Sequence, residues 1–211
     1  MELRLHPLFT ARSYLDTGIS MLVNDHWGTQ YDLSLDLFEK CASVCFMTGD
    51  LTTMSSCLCE ILDHAKSFDD SLTASTLLVK LLASSAKFVD ASDNCLTILQ
   101  NLGEEFPRGE ISLSTVQDTL NTALPTLRKI ANDPDQIKQL PPMKDCKKLN
   151  AIRVMAILRK VSFRSHPTFL PLLGWRMVSI TLQYGLCDES IVGIVVAGFS
   201  LVSLYYVRYA I

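Results

Sequence analysis

The chain has 211 residues, 48% of them hydrophobic and only 19% charged, with a formal net charge of −3. That balance gives no electrostatic footprint for nucleic acid. The apolar excess over ordinary globular usage suits a protein whose faces are partly meant for another protein segment or a membrane.

The N-terminal stretch MELRLHPLFTARSYL is not a secretory signal, because Glu2, Arg4, His6 and Arg12 interrupt any apolar core. With no export signal, the seven cysteines are expected as reduced thiols in a cytosolic setting, and their odd number argues against a complete disulfide framework. From Phe9 to Val23 the apolar residues Leu15, Ile19, Leu22 and Val23 recur at a helical period. Gly18 inside this run costs about 1 kcal/mol relative to Ala unless a neighbour packs tightly there. Asn24 to Thr29 reads as a polar turn carrying Trp27 and Gly28.

Leu33 to Ala65 is the stretch around which the rest is organised. Leu33, Leu37, Cys41 and Cys45 fall four apart on one helical face, with Phe38 and Ala42 beside them. Met54, Leu58, Ile61, Leu62 and Ala65 repeat the pattern after a turn. Gly49 is placed to adopt the left-handed conformation that ends the first helix, and Asp50 to cap the second. Ser67 to Ser71 is a short connection with Ser71 as the expected cap, and Leu72 to Val89 is the next helix, with Leu78, Leu81, Leu82 and Val89 inward. Asp90 to Asp93 reads as a turn, and Cys95 to Leu102 as a shorter helix ended by Gly103.

The tempo then becomes irregular. Glu104 to Glu110, with Pro107 and Gly109, reads as loop, and the adjacent carboxylates Glu104 and Glu105 as solvated surface. Ser114-x-x-Gln117 is a capping-box pattern opening a helix that Pro125 breaks or kinks. Gln136 to Leu140 is a short helix stopped by Pro141-Pro142. Asp145 caps a helix to about Phe163, and Ser165-His166-Pro167 opens the next through an irregular turn, with regular helix from about Pro171. Gly185 ends that helix and Ser190 starts a last one reaching Ile211.

No chemistry-bearing constellation emerges. Cys41, Cys45, Cys57, Cys59 and His64 are near one another in the hairpin, but they sit among Leu, Phe and Met, where free Cys behaves as a small hydrophobe. His6, His26, His64 and His166 lack metal-ligand or phosphoacceptor surroundings. The chain has no G-x-x-x-x-G-K-[ST] loop, no protein-kinase core motif and no G-x-S-x-G elbow. The expectation is therefore no catalytic, cofactor-binding or metal-ligating residue, and no cofactor. The seventeen uncharged residues from Ile191 to Val207 are at the lower limit for a membrane span, and Arg208 with two tyrosines suits an interface. The glycines and serines of that run equally suit a helix buried between helices.

The expected fold is all-α, roughly eight to ten helices joined by short turns. Residues 1–211 read as a single helical-repeat region. Helix pairs occupy 8–103, an irregular connection 104–144 and C-terminal helices 145–211.

One set of stretches runs through the chain in fixed order. It comprises Trp27-x-x-x-Tyr31-Asp32-Leu33-x-Leu35, the Thr48-Gly49-Asp50 turn and Leu140-Pro141-Pro142-Met143-x-Asp145-x-Lys147-Lys148-Leu149-x-Ala151-x-Arg153. It continues with Pro167-x-Phe169-x-Pro171-Leu172, Met177-Val178-x-x-x-Leu182-x-Tyr184-Gly185 and Ser190. Together, from about Tyr14 to Leu201, they resemble the TPR-like helical region of very large hybrid signalling proteins. Those proteins combine a serine/threonine kinase-like domain, an AAA-type signal-transduction ATPase, the helical array, a GAF domain and often a histidine kinase. The resemblance implies a TPR-like α-solenoid of antiparallel helix pairs in the cytoplasm, a fragment of a larger multidomain protein. It also implies a non-catalytic scaffold that relays conformational change or binds partners, either other domains of the same protein or separate proteins. The ATPase, GAF and kinase portions are absent from this sequence. The competing expectation is a small membrane-anchored helical protein using 191–211 as its tail.

Overall fold

The computed structural model describes the backbone of residues 6–209 and the side chains of residues 7–202. Residues 1–5, and 210–211 at the end of the apolar run, lie outside the described residues. About 80% of the chain is helical, and the described residues contain no strand. The fold is all-α. The chain divides into two compact units, residues up to Ala91 and residues from Ser92 onward.

The first unit holds α1 (His6–Ser20), the one-turn α2 (His26–Thr29), α3 (Tyr31–Thr48), α4 (Leu51–His64) and α5 (Phe68–Ser84). Helix α1 packs on α3, α3 on α4 and α5, and α4 on α5. Their shared core is Phe38, Cys41 and Cys45 from α3, Met54, Leu58 and Ile61 from α4, and Ala74 and Leu77 from α5, rimmed by Leu15, Ile19 and Leu22. Each large apolar side chain removed from water here contributes about 1.5–3 kcal/mol. Gly49 is left-handed, at φ 80°, and the Asp50 carboxylate accepts from the Thr53 amide at 3.1 Å, so the turn forms as expected. A neighbour does pack on Gly18: a Cβ there would lie 3.3 Å from the Leu37 side chain.

Several details differ from the sequence reading. Ser67, not Ser71, caps α5, its hydroxyl accepting from the Asp70 amide, with Asp69 and Asp70 in the first turn favouring the helix dipole. Helix α5 ends at Ser84, and the chain turns at Ala86, a non-glycine residue at φ 59°. Asp90 to Asp93 therefore lie inside α6 (Phe88–Asn101) rather than in a turn. Leu33, Leu62 and Val89, read as inward, are exposed, because each lies at the margin of its helix's apolar stripe.

The second unit continues along α6, then α7 (Leu113–Asn132), the one-turn α8 (Asp135–Lys138), α9 (Cys146–Ser165), a 3₁₀ turn (Pro167–Phe169), α10 (Leu170–Tyr184) and α11 (Ser190–Tyr209). Helix α10 is central and packs on α7, α9 and α11. The cap of α7 is Ser112, two residues before the expected one, accepting from the Thr115 amide. Residues 104–144 thus contain a twenty-residue helix, which continues through Pro125 instead of stopping. Pro125 lies on the exposed side, while Val116, Leu120, Ala123 and Leu127 bury the other, so packing outweighs the lost amide bond. Asp145 caps α9 by accepting from the Lys148 amide at 3.0 Å.

The Pro141-Pro142-Met143 segment is tied to the end of α10 by an isolated parallel bridge between Pro142 and Leu186. The Leu186 amide donates to Pro141 O at 2.8 Å, and the Met143 amide to Leu186 O at 2.7 Å. Gly185 has φ 107°, and a Cβ there would strike the Pro141 carbonyl oxygen. Only glycine satisfies both conditions.

Candidate functional site

Three polar or aromatic clusters and one exposed apolar face stand out. In the first unit, the Arg12 guanidinium donates to the Cys45 thiol, lies 2.7 Å from Asp16 and reaches Asp50 at 3.4 Å. The Cys41 and Cys45 sulfurs are 3.9 Å apart, and Cys57 adjoins Cys41. Burial, reinforced by the neighbouring thiol, pushes Cys45 up to about 12, and burial pushes Cys57 up as well. Both thiols are therefore protonated at neutral pH and are poor nucleophiles or ligands. Among the described residues, no group of three or more His, Cys, Asp or Glu side chains is disposed to hold a metal ion.

The second cluster is aromatic. Trp27 stacks on His64, on the last turn of α4, with centroids 4.8 Å apart and planes 2° from parallel. It also stacks on Phe38, and its indole N–H donates to Glu60 at 3.3 Å. Beside it, the Tyr31 hydroxyl donates to Asp70 at 2.8 Å and accepts from the Lys66 amide at 2.9 Å, while the Lys66 ammonium lies 3.9 Å over the ring. Burial and Asp70 raise the phenol above its ordinary value, so it stays protonated. These contacts pin α2, α3, the α4–α5 turn and α5 together. The exposed His64 stacks on Trp27, and its Nδ1 lies 2.9 Å from the Glu60 carbonyl oxygen and 3.8 Å from the Glu60 carboxylate.

The third cluster corrects the reading of Glu104-Glu105 as surface. Glu105 is exposed, but the Glu104 side chain is 1% exposed. It accepts from Lys148 Nζ at 2.6 Å and from Arg176 Nε at 2.5 Å and Nη2 at 3.1 Å. Burial alone would raise its pKa; the hydrogen bonds and charges of Arg176 and Lys148 outweigh that and hold it below the ordinary value. The carboxylate is charged, with both oxygens engaged, so this is a clamp rather than a proton donor. No local signal in Gly103-Glu104-Glu105 announces it, since the partners are 44 and 72 residues away.

The apolar face belongs to α11. Ile191, Val195, Phe199 and Val202 are each more than half exposed. The opposite side of α11 meets α10 closely: a Cβ on Gly174 would lie 2.7 Å from the Ala197 amide nitrogen, and one on Gly193 would lie 2.5 Å from Met177 Cβ. Among the described residues, no helix is long and apolar enough to cross a membrane. An open hollow of about 480 Å³, lined by Phe9, Thr10, Ser13 and Tyr14, brings hydroxyls together without an acid or base among these four.

Compared with known proteins, the chain matches no family model, no curated protein and no solved structure.

Proposed function

We propose that the chain is a non-catalytic helical scaffold, a TPR-like array of antiparallel helix pairs. It would link a nucleotide-dependent switch to an output kinase in a cytoplasmic signalling protein. The observation that carries this reading is the serial packing of the first unit, where α1, α3, α4 and α5 each lie on the next, with the one-turn α2 in the connection from α1 to α3 and short turns between the others. Elements stacked in that way move as a semi-rigid lever and expose continuous surfaces to partners. The polar clusters support the same role. The Glu104 clamp and the Tyr31 hub each tie helices together, and the buried Cys45 and Cys57 thiols stay protonated. The resemblance of the stretches from Tyr14 to Leu201 to hybrid signalling proteins supplies the proposed partners, which are neighbouring ATPase, GAF and kinase segments.

Sequencing the genomic DNA on both sides of the reading frame tests this. ATPase motifs upstream and GAF motifs downstream are expected, and unrelated flanking genes would overturn the reading. Carbonate-resistant membrane association of the tagged chain would favour the anchored protein instead. Purified chain that hydrolyses ATP above a buffer control, contaminants excluded, would contradict the non-catalytic assignment.

A further inference from the structure

Helix α9 carries Lys147, Lys148, Arg153, Arg159, Lys160 and Arg164, and no Asp or Glu. Two of these cations lie on its buried side. Lys148, Ile152, Met155, Arg159 and Ser162 follow one another in steps of four, three, four and three residues, so they share one row of the helix. Ile152 and Met155 on that row are fully buried, and Lys148 is paired with Glu104. Among the described residues, three arginines are half-buried: Arg12, Arg159 and Arg176. Arg12 meets Asp16 and Arg176 meets Glu104, whereas Arg159 has no partner in the protein. Its Nε is enclosed, while its Nη atoms are not.

The next inward residue is in the same condition. Ser162 is 1% exposed, and its hydroxyl is enclosed without a partner. Other serines in these helices donate back to the carbonyl four residues earlier: Ser165 to Val161 at 3.2 Å, Ser179 to Trp175 at 2.9 Å and Ser200 to Val196 at 2.8 Å. Ser162 makes no such bond to Leu158, so its hydroxyl is directed away from its own backbone. A guanidinium nitrogen and a hydroxyl one turn apart are thus both withdrawn from water and both unanswered, an arrangement that costs stability.

We propose that Arg159 and Ser162 form a binding site for a small tetrahedral oxyanion, inorganic phosphate. The guanidinium calls for negative charge, as its counterparts Arg12 and Arg176 receive it from carboxylates. The number of donors selects the shape. The arginine fork engages two oxygens and the serine hydroxyl a third, which phosphate has and a carboxylate lacks. The anion enters at the open Nη edge, and an arginine pinned by no protein partner can change rotamer to admit it. Enclosure of Nε and the hydroxyl leaves no room for an attached organic group. The positive charge of α9 raises the local anion concentration. The inference stands on α9 alone and does not depend on the scaffold reading.

Titration of the isotope-labelled full chain with sodium phosphate, at pH 7 and constant ionic strength, tests it by NMR at the Arg159 Nε–H and the Ser162 amide. Saturable shifts at both, with a dissociation constant on the order of 1 mM, are expected. Acetate should bind at least about tenfold more weakly. Arg159→Gln should abolish binding, and Ser162→Ala should weaken it about tenfold. Lys160→Gln, at the exposed neighbour, should change it by less than about twofold. Ser162→Ala only removes an unpaired hydroxyl from the core, so it folds and decides the matter even where Arg159→Gln does not. Absence of saturable shifts up to about 20 mM phosphate would overturn the proposal. So would acetate binding as tight as phosphate, or a loss in Lys160→Gln as large as in Ser162→Ala, the mark of diffuse surface charge. A lower urea midpoint of Ser162→Ala in phosphate-free buffer would show that the hydroxyl already has a partner, and would likewise overturn it.

Discussion

Gly174 in α10 lies so close to Ala197 in α11 that a Cβ at 174 would stand 2.7 Å from the Ala197 amide nitrogen. Helix propensity favours Ala over Gly by about 1 kcal/mol. Here the neighbour is backbone and cannot step aside, so overpacking wins and Gly174→Ala should lower stability by about 1–3 kcal/mol. Gly198→Ala, in the adjoining helix but facing open space, should be neutral or stabilising by up to about 1 kcal/mol. Urea unfolding of the two variants checks the contrast; equal shifts would mean that α10 and α11 do not approach as described.

The Gly49–Asp50 turn yields a second pair. A Cβ at Gly49 meets nothing within 4 Å, so any cost there is backbone strain at φ 80° alone. Gly49→Val should cost about 1–2 kcal/mol from that strain. Asp50→Ala should cost about 1 kcal/mol by leaving the Thr53 amide uncapped. Unfolding midpoints equal to wild type would show that the turn tolerates both changes and that strain and cap contribute nothing.

Glu104 makes the stability of the second unit depend on pH. Its folded pKa lies below the ordinary 4.5, so its stabilisation is fully present above that value. It is lost as pH falls through the lower, folded value. Glu104→Gln should cost about 3 kcal/mol at pH 7, because it breaks a buried pair from one side. The same variant should flatten the loss of stability below pH 4.5. Trp27 and Trp175 are the only tryptophans, one in each unit, so Trp27→Phe leaves a fluorophore that reports on the second unit alone. A Gln variant with the same acid-side slope as its parent would remove the clamp from the explanation.

Thiol accessibility gives a fourth test. Cys59 and Cys146 are exposed and should react with a thiol reagent in native protein at pH 7, with the half-buried Cys187 slower. Cys41, Cys45, Cys57 and Cys95 are buried, and burial pushes Cys95 up to about 12, so all four should react only on unfolding. Peptide mapping of the labelled sites reads the order directly, and early labelling of Cys45 would contradict its packing against Arg12.

The parts of the fold legible in the sequence are those decided within a few residues. Asp50 and Asp145 cap helices, and Gly49, Gly103 and Gly185 end them, because each acts on amides or dihedrals in its own turn. Ambiguity enters where two residues offer the same local service, as with Ser67 and Ser71, or Ser112 and Ser114. The turn at Ala86 was hidden because an ordinary side chain stands in a left-handed position that Gly or Asn usually marks. Glu104 was illegible for a different reason. Nothing beside it distinguishes a buried carboxylate from an exposed one until α9 and α10 bring Lys148 and Arg176 to it. The apolar run of α11 is visible in the sequence, but which side faces α10 follows only from the contacts of Gly174 and Gly193.

The distance along the chain from Glu104 to Arg176, 72 residues, also has a meaning in time. At roughly 5–20 residues per second, a ribosome delivers Arg176 about 4–14 s after Glu104. Until Lys148 emerges the carboxylate has neither of its native partners, and until Arg176 follows it has only one, so burying it early is costly. The loop that carries Glu104 must therefore stay hydrated while α7 is already long enough to coil. The first unit, whose helices close on near neighbours, is free to fold on the ribosome, whereas the second completes its core only after α10 has emerged.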